Sequence, residues 1–265
     1  MKIICVGRNY VSHVKELKNK LPKNPIIFLK PDTSIIKKNT PFFIPSFSNY
    51  IDHEVELIVR INRIGKHIQK EYSHKYYQEI SLGIDFTARK LQNELKKDGL
   101  PWEKSKAFDG SALIGKWISK DSFSNLKSIN FELFKNKKSI QKENTSRMIW
   151  DIDSIISYCS TYFTLKIGDI IFTGTPEGVG PLVNGDQVEI LTSSRGFPDP
   201  IWLENCVTGK SKASIRRFIR KREIEEFNQL GISLLKKEFR QQNKKLNVKS
   251  LRKAIDEFGL IDVDE

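Results

Sequence analysis

The sequence contains few cysteines and no long apolar run, and these absences exclude several classes of protein. Its three cysteines, Cys5, Cys159 and Cys206, are too few and too far apart for a disulfide framework or a zinc site. No apolar stretch approaches the roughly 18 residues of a membrane-spanning helix, and the apolar run 3–6 is too short for a signal-peptide core. We therefore expect a soluble cytoplasmic protein with no membrane partner.

The chain also has fewer acidic than basic residues. Its 265 residues include 45 Lys and Arg against 32 Asp and Glu, which gives a formal net charge of +13. Such a balance attracts anions, whether acidic metabolites, phosphates or nucleic acids, and charge alone does not choose among them. A hydrophobic content of 38% is sufficient for a buried core.

Local patterns predict a β-rich first part with short helices. Runs rich in β-branched residues and bounded by Pro, Gly or Asn predict strands at 26–29, 55–61 and 169–173. A helix is predicted over 87–97, where leucines recur at four-residue spacing before a glycine, and a second helix over 153–162. No internal repeat or low-complexity tract interrupts this part.

Two glutamates alternate on one predicted strand, and a third carboxylate lies further along the chain. Glu54 and Glu56 are two residues apart, so on a strand they point to the same face. Their repulsion is relieved by protonation or by a hard divalent cation, and Asp85 would complete an oxygen set typical of Mg²⁺ or Mn²⁺. On spacing alone, a solvated strand face that carries glutamates remains the alternative.

Five sequence blocks together resemble the fumarylacetoacetate hydrolase superfamily, and within it the acylpyruvate hydrolase branch. The blocks are VGRNYVSHVKE at 6–16, HEVEL at 53–57, GIDFTAR at 83–89, GLPW at 99–102 and GTPEGVGP at 174–181. This resemblance implies a mixed β-rich α+β fold, a fumarylacetoacetate hydrolase-like β-sandwich or roll with short helices, and a homodimer. It also implies that Glu54, Glu56 and Asp85 bind the metal.

The same resemblance implies catalytic roles for three further residues. His13 and Glu16 match a lid pair on a short helix, in which the carboxylate orients the imidazole as general base for water. Without the resemblance, this pair would be interpreted as an exposed pair on an amphipathic helix. Lys106 matches a lysine that faces the substrate and suits a developing enolate, with Lys104 as the competing candidate.

Substrate-binding roles are implied at three more positions. Thr175 lies in a Gly-rich turn whose amides and hydroxyl hold a carboxylate in the family, although in isolation the turn is simply a tight loop. Arg8 and Gln92 match positions near the pocket. The lone histidines His67 and His74 lie in a polar stretch, and we expect both at the surface.

The chain departs from the family pattern in two places. Lys90 stands where the family commonly has aspartate, which reverses one charge next to the predicted site. In the segment 141–148, Lys142 and Glu143 replace the usual Asp and Gly, and Arg147 stands where Asp is common. We therefore expect the substrate preference to differ from that of typical members.

The composition changes after about residue 196, where two prolines precede a predicted basic helix over 212–235. From about 184 to 265 the chain resembles the segment after the TGS domain of stringent-response guanosine tetraphosphate synthetases and hydrolases, without either catalytic domain. We therefore predict a metal-dependent catalytic domain at 1–193 and a basic helical appendage at 194–265. The appendage either contacts RNA through its arginines or is a relic of recombination or of joined reads.

The resemblance implies a Mg²⁺- or Mn²⁺-dependent hydrolase that cleaves the carbon–carbon bond of an acylpyruvate, a small 2,4-dioxo acid. Oxaloacetate decarboxylation is a further expected activity, because it proceeds through the same enolate. The enzymatic alternative is a 2-oxo-dienoate isomerase or hydratase of the same superfamily. The alternative from another class is a non-enzymatic scaffold whose tail contacts RNA.

Overall fold

The computed structural model of the chain describes residues 1–37 and 40–193 and the five isolated residues 213, 216, 217, 220 and 239. Contacts between Cα atoms divide the chain into two units, Met1–Arg195 and Gly196–Glu265. The tail, with the helix predicted over 212–235, lies almost wholly outside the described residues, so the domain division at 193 stays a prediction.

Thirteen strands and four α-helices occur within the ranges 1–37 and 40–193. The strands are β1 Ile3–Gly7, β2 Ile26–Lys30, β3 Ile51–His53, β4 Val55–Ile61, β5 Tyr77–Asp85, β6 Thr87–Ala88, β7 Ala112–Ile114, β8 Ile118–Ser119, β9 Asn130–Lys135, β10 Lys138–Asn144, β11 Ile170–Phe172, β12 Gly180–Leu182 and β13 Val188–Ser193. The helices are α1 Val11–Glu16, α2 Arg89–Lys97, α3 Glu103–Lys106 and α4 Ile152–Tyr162. Among the described residues, no helix is long and apolar enough to cross a membrane.

The strands form three sheets. The largest has seven strands in the order β2-β1-β11-β4-β5-β7, with β8 also paired to β5. Strand β1 runs parallel to β11, and the other pairs of this sheet are antiparallel. Two three-stranded sheets have the orders β10-β9-β13 and β12-β3-β6. Many short strands with few short helices confirm the predicted β-rich α+β class.

Strand β4 lies inside the largest sheet, with apolar side chains on both of its faces. The alternate residues Val55, Leu57 and Val59 are fully buried in the main apolar core. Ile58 packs in a second cluster on the opposite face of the strand. Because both faces are covered, Glu56 on the same strand is also buried, at 2% exposure. A carboxylate in such a position requires charged or hydrogen-bonding partners.

Helix α2 begins at Arg89, two residues later than the predicted start. Thr87 and Ala88 instead pair with β3 as strand β6, so the backbone bonds of that sheet outweigh the helical pattern. The helix ends before Gly99, whose φ of 67° suits a residue without a side chain.

Helix α4 confirms the second predicted helix with a start one residue earlier, at Ile152. Asp151 caps it by accepting a hydrogen bond from the Ser154 amide at 2.8 Å. The three predicted strands are observed as β2, β4 and β11, and the β11 strand is shorter than predicted by one residue at each end. His67 and His74 are exposed, as predicted.

Candidate metal centre and active site

Three carboxylates meet at adjacent ends of strands β4 and β5. Glu54 immediately precedes β4, Glu56 is the second residue of β4, and Asp85 ends β5. The antiparallel pairing of these strands brings them together, and the Asp85 amide donates to the Glu54 carbonyl at 2.8 Å. One oxygen from each carboxylate lies within 4.8 Å of the others, and each residue is at most 4% exposed. The structure therefore assembles the three predicted carboxylates into one buried cluster.

Lys106, at the end of helix α3, places its ammonium group among these carboxylates. Its Nζ donates to Glu54 Oε2 at 2.7 Å, to Asp85 Oδ2 at 2.8 Å and to the Thr87 hydroxyl at 2.6 Å. Burial opposes its charge, but Asp85 and Glu54 raise the pKa of Lys106, so the side chain stays protonated. Lys104, the competing candidate, is exposed.

A second buried lysine contacts the cluster, and the sequence interpretation missed it. The Nζ of Lys30 lies 2.8 Å from Asp85 Oδ1 and donates to the Ser111 hydroxyl at 3.0 Å and to the Lys106 carbonyl. Lys30 is 2% exposed. The sequence did contain a signal for this residue, because Lys30 ends a strongly apolar strand. A lysine is almost never fully buried unless it has a partner of opposite charge.

Arg89, at the start of α2, adds a third cation that the sequence interpretation did not place in the site. Its Nε donates to Asp52 Oδ2 at 2.8 Å, and its Nη2 contacts Glu54 Oε1. Although burial opposes its charge, these two carboxylates raise the pKa of Arg89 above its usual value. Lys90, where the family commonly has aspartate, is exposed, so this charge reversal lies on the outer face of α2.

The charges in the cluster suit a bound divalent cation. Although burial disfavours its ionised form, Lys106 and Arg89 hold the pKa of Glu54 well below its usual value. Burial and the neighbouring charges of Asp85 and Glu54 raise the pKa of Glu56 well above its usual value. A divalent cation would stabilise the ionised form of Glu56. Three converging carboxylates are also the hard oxygen ligands that Mg²⁺ and Mn²⁺ prefer, so the donor set fits such an ion.

His13 and Glu16 form the predicted pair on helix α1. His13 Nδ1 lies 3.1 Å from Glu16 Oε2, and the Gly178 amide donates to Glu16 Oε1 at 2.9 Å. Although burial opposes ionisation of Glu16, these hydrogen bonds lower its pKa. An ionised Glu16 accepts a hydrogen bond from Nδ1–H of His13, which leaves Nε2 as the ring nitrogen that can accept a proton. His13 is only 5% exposed, so the alternative of an exposed surface pair does not hold.

The loop after β11 supplies a backbone amide and a hydroxyl group. Gly174 adopts a φ of 101°, and a Cβ at this position would lie 2.7 Å from Asn9 Cβ. In this conformation the Gly174 amide donates to Glu56 Oε2 at 2.6 Å. The Thr175 hydroxyl accepts from Gln141 Nε2 at 3.0 Å. Gln141 begins the segment that departs from the family pattern, and it is the residue that positions Thr175.

One cleft connects these groups. Eight of the nine predicted site residues line it, and the ninth, Glu16, contacts His13. The eight are Arg8, His13, Glu54, Glu56, Asp85, Gln92, Lys106 and Thr175. Arg8 has a φ of 60°, a strained value for a residue with a side chain, directly after strand β1. The fold therefore brings the predicted residues to one location, although they span most of the described chain.

Lys96 lines the same cleft and was missed by the sequence interpretation. Its Nζ donates to Gln92 Oε1 at 3.3 Å and lies 5.0 Å from the centre of the Trp102 ring. Burial, together with the positive charges of Arg89 and Arg8, lowers the pKa of Lys96 to about 8. The spacing of Gln92 and Lys96, four residues apart on a helix, is the signal that would have placed both on one face.

Residues 2–200 match the family model of the fumarylacetoacetate hydrolase C-terminal domain. The chain belongs to the fumarylacetoacetate hydrolase family. It is 38% identical over 190 residues to an oxaloacetate tautomerase of Escherichia coli, covering 71% of this chain and 87% of the relative. It is 40% identical over 189 residues to a mitochondrial oxaloacetate decarboxylase of Dictyostelium discoideum, with the same two coverages.

A solved structure of this family supports the same assignment. The fumarylpyruvate hydrolase of Pseudomonas aeruginosa, in complex with Mn²⁺ and pyruvate, is 30% identical to this chain. It superposes with a TM-score of 0.69 over 72% of this chain and 84% of its own length. Family membership shows that the chain is related to enzymes. Because the relatives include bacterial and mitochondrial proteins, the predicted cytoplasmic location stays a prediction.

The tail has a different origin, as its sequence indicated. Residues 218–265 match the RelA/SpoT AH domain, which confirms the resemblance to stringent-response proteins. The two family matches do not overlap, and residues 201–217 lie between them. RNA contact by the tail and the homodimer both stay predictions.

Proposed function

We propose that residues 1–193 form a divalent-metal-dependent enzyme that acts on a small 2-oxo acid through its enolate, with oxaloacetate as the first candidate substrate. The supporting observation is one cleft that combines three buried carboxylates, the Lys106 ammonium and the His13–Glu16 pair. The relatives at 38% and 40% identity are an oxaloacetate tautomerase and an oxaloacetate decarboxylase, so both act on oxaloacetate.

Glu54, Glu56 and Asp85 would hold the cation, Mg²⁺ or Mn²⁺. When bound, the cation would supply positive charge next to the oxygen on which the negative charge of the enolate develops. The residues around the carboxylates fix their orientation before any ligand arrives. Gly174 donates to Glu56, and Lys30 contacts Asp85 from a buried position.

Lys106 would share the negative charge of the enolate. Its pKa is raised, so it remains a cation at neutral pH and does not act as a base. Arg8, Gln92 and Thr175 line the cleft and offer donors for the carboxylate groups of the substrate. The amide of Gln141 holds the hydroxyl of Thr175 in place.

His13 would be the group that accepts a proton from the substrate and returns it. With Nδ1–H donated to Glu16, the free Nε2 accepts a proton and Glu16 stabilises the resulting imidazolium. In tautomerisation the proton leaves the carbon next to the 2-oxo group of oxaloacetate and is returned to the enolate at oxygen. Decarboxylation breaks the bond to the departing carboxylate and needs no proton removal before the enolate forms.

Acylpyruvate hydrolysis is the second candidate, and the His13–Glu16 pair would supply the base that activates its water. In this reaction Nε2 takes a proton from water as the water oxygen attacks the 4-carbonyl carbon. The carbon–carbon bond then breaks to give a carboxylic acid and the enolate of pyruvate, which is protonated at carbon. The solved relative with Mn²⁺ and pyruvate, a fumarylpyruvate hydrolase, supports this reading.

The test is a substrate panel with the full-length protein and added Mg²⁺ or Mn²⁺. We expect turnover in at least one of three assays: oxaloacetate tautomerisation, oxaloacetate decarboxylation and acetylpyruvate hydrolysis. Chelation of the metal should abolish that activity, and added Mn²⁺ should restore it. A protein that binds Mn²⁺ but is inactive in all three assays would contradict the proposal.

We further infer that residues 194–265 are an appendage to this enzyme. All nine proposed site residues precede Pro181, and the match to the RelA/SpoT AH domain begins at residue 218. The appendage would contribute no group to the chemistry. RNA binding by the full chain that weakens steeply with salt, and is lost on removal of the tail, would support the alternative role.

A further inference from the structure

Helix α2 directs a row of three polar side chains along one face into the cleft. Arg89, Gln92 and Lys96 are spaced three and four residues apart, which places them on one side of a helix. The Gln92 Oε1 accepts from Arg89 Nη1 at 2.6 Å and from Lys96 Nζ at 3.3 Å. The row therefore leads from the carboxylate cluster, which Arg89 contacts, to the ammonium group of Lys96.

The cations of the cleft differ in what neutralises them. Arg89, Lys106 and Lys30 each contact one or two buried carboxylates. Within residues 1–37 and 40–193, no carboxylate lies within ion-pair distance of Lys96 or Arg8, both of which line the cleft. Lys96 is also fixed in place, because its ammonium lies against the Trp102 ring and donates to Gln92.

A half-buried lysine beside other cations is stabilised by an anionic ligand. Burial is the main factor that disfavours the charged form of Lys96, the charges of Arg89, Arg8 and Lys106 add to it, and Glu54 acts in the opposite direction. An anion bound at Lys96 relieves this repulsion and completes the charge balance of the cleft. The carboxylate that lies next to the 2-oxo group of a substrate belongs near the metal ligands, so the anion at Lys96 is a different group.

We propose that Lys96, with Arg8 in the same lining, binds the second carboxylate of a 2-oxo dicarboxylic acid and so makes the cleft selective for dicarboxylates. This inference rests on the proposed function, since it names the substrate class of the same site. It favours oxaloacetate over acylpyruvates whose acyl group carries no charge. Lys96 is here a specificity residue that touches the substrate and takes no part in proton transfer.

The test compares two ligands of equal chain length, 2-oxoglutarate with two carboxylates and 2-oxovalerate with one. Their dissociation constants are measured by calorimetry with full-length protein and saturating Mn²⁺, so the result does not depend on turnover. Lys96→Met retains an apolar stem against Trp102 but removes the charge. In this variant the preference for 2-oxoglutarate should fall on the order of 10- to 100-fold, which corresponds to the loss of one hydrogen bond to a charged group.

Two further variants complete the experiment. Lys97→Met removes the same charge from an exposed position on α2 and should leave the preference unchanged. Lys96→Arg retains the charge and should preserve most of the preference. An unchanged preference in Lys96→Met would overturn the subsite, as would an equal loss of preference in the Lys97 control. If the wild-type protein discriminates between the ligands but turns over no substrate, the proposed function fails while the subsite stands.

Discussion

The charged side chains of the cleft form two regions, which differ in whether each cation has a carboxylate partner. Its floor consists of Glu54, Glu56, Asp85, Lys106 and Arg89, together with Lys30, which does not line the cleft but contacts Asp85; all six are at most 8% exposed. Its mouth consists of Arg8 and Lys96, which line the cleft and are partly exposed. Each cation of the floor contacts at least one carboxylate, whereas two cations of the mouth have no carboxylate partner in the described part of the chain.

This difference separates the roles that the two regions can take. Removing one partner from a buried ion pair leaves an uncompensated charge, so floor residues should affect stability and metal binding together. Mouth residues are screened by solvent and should affect ligand choice with little effect on folding. Substitutions in each region therefore test whether the two regions differ in this way.

The largest effect is expected for Asp85→Asn. This change removes one of three anionic ligands and leaves the buried Lys30 and Lys106 with one carboxylate contact fewer each. We expect metal affinity to fall strongly and turnover to be lost, as measured by Mn²⁺ titration and by the substrate panel. Asp109→Asn, at an exposed position, serves as the control. Wild-type activity of Asp85→Asn at low metal concentration would refute the metal site.

His13→Ala tests the group that lies between floor and mouth. Acylpyruvate hydrolysis should fall on the order of 10²- to 10⁴-fold, because it requires an activated water. Oxaloacetate decarboxylation should fall less, since it needs the enolate but no attacking water. Both rates are compared with those of His74→Ala, which changes an exposed histidine. Equal losses in the two reactions would mean that His13 positions the lid and is not the base.

Lys30→Met tests whether the floor depends on its buried charge pairs. The substitution leaves Asp85 without one of its two ammonium contacts, so the free energy of unfolding should decrease by about 3–5 kcal/mol. Chemical denaturation measures this change, and Lys37→Met, at an exposed site, should remain within about 0.5 kcal/mol of wild type. A decrease below about 1 kcal/mol would show that the Lys30–Asp85 contact contributes little.

The residues that could be predicted from the sequence are those with a short-range pattern or a family motif. The alternation of Glu54 and Glu56 predicted a shared face, and the motifs predicted Asp85, Lys106, His13 and Glu16. The cleft brings all of these together. Likewise, three strands and two helices were predicted to within two residues of their observed bounds.

The missed residues reach the site through contacts that no local pattern encodes. Lys30 contacts Asp85, and Gln141 contacts Thr175, because strands that are distant in the sequence pair in the fold. Arg89 lies inside a recognised motif, but its contact with Asp52 depends on the pairing of β3 with β6. Tertiary structure also overrode helical propensity at Thr87, where that same pairing delays the start of α2.

The pH dependence of ligand choice tests the charge of the mouth. The pKa of Lys96 is lowered to about 8, so Lys96 is protonated below that pH and loses its charge above it. The groups that act on it are Gln92, Trp102, Arg89, Arg8, Lys106 and Glu54. The preference for 2-oxoglutarate over 2-oxovalerate should therefore decrease as pH rises from 7 to 9.5, on the order of 10-fold. In Lys96→Met the ratio should be flat over this range, and a parallel decline there would assign the titration to another group.

Removal of the tail should have the smallest effect on either region. A chain that ends after Ser193 retains all nine proposed site residues and strand β13, which pairs along its length with β9. Metal affinity and turnover should therefore stay within about twofold of the full chain, a difference below 0.5 kcal/mol. A chain that ends after Gln187 is the matched comparison: it lacks β13, exposes the edge of β9 and the buried Leu133, and should melt at a lower temperature. If the chain ending at Ser193 also unfolds, residues beyond it must complete the fold, with Trp202 and Leu203 as candidates. The predicted boundary at 193 would then be wrong, but this result would not contradict the carboxylate site.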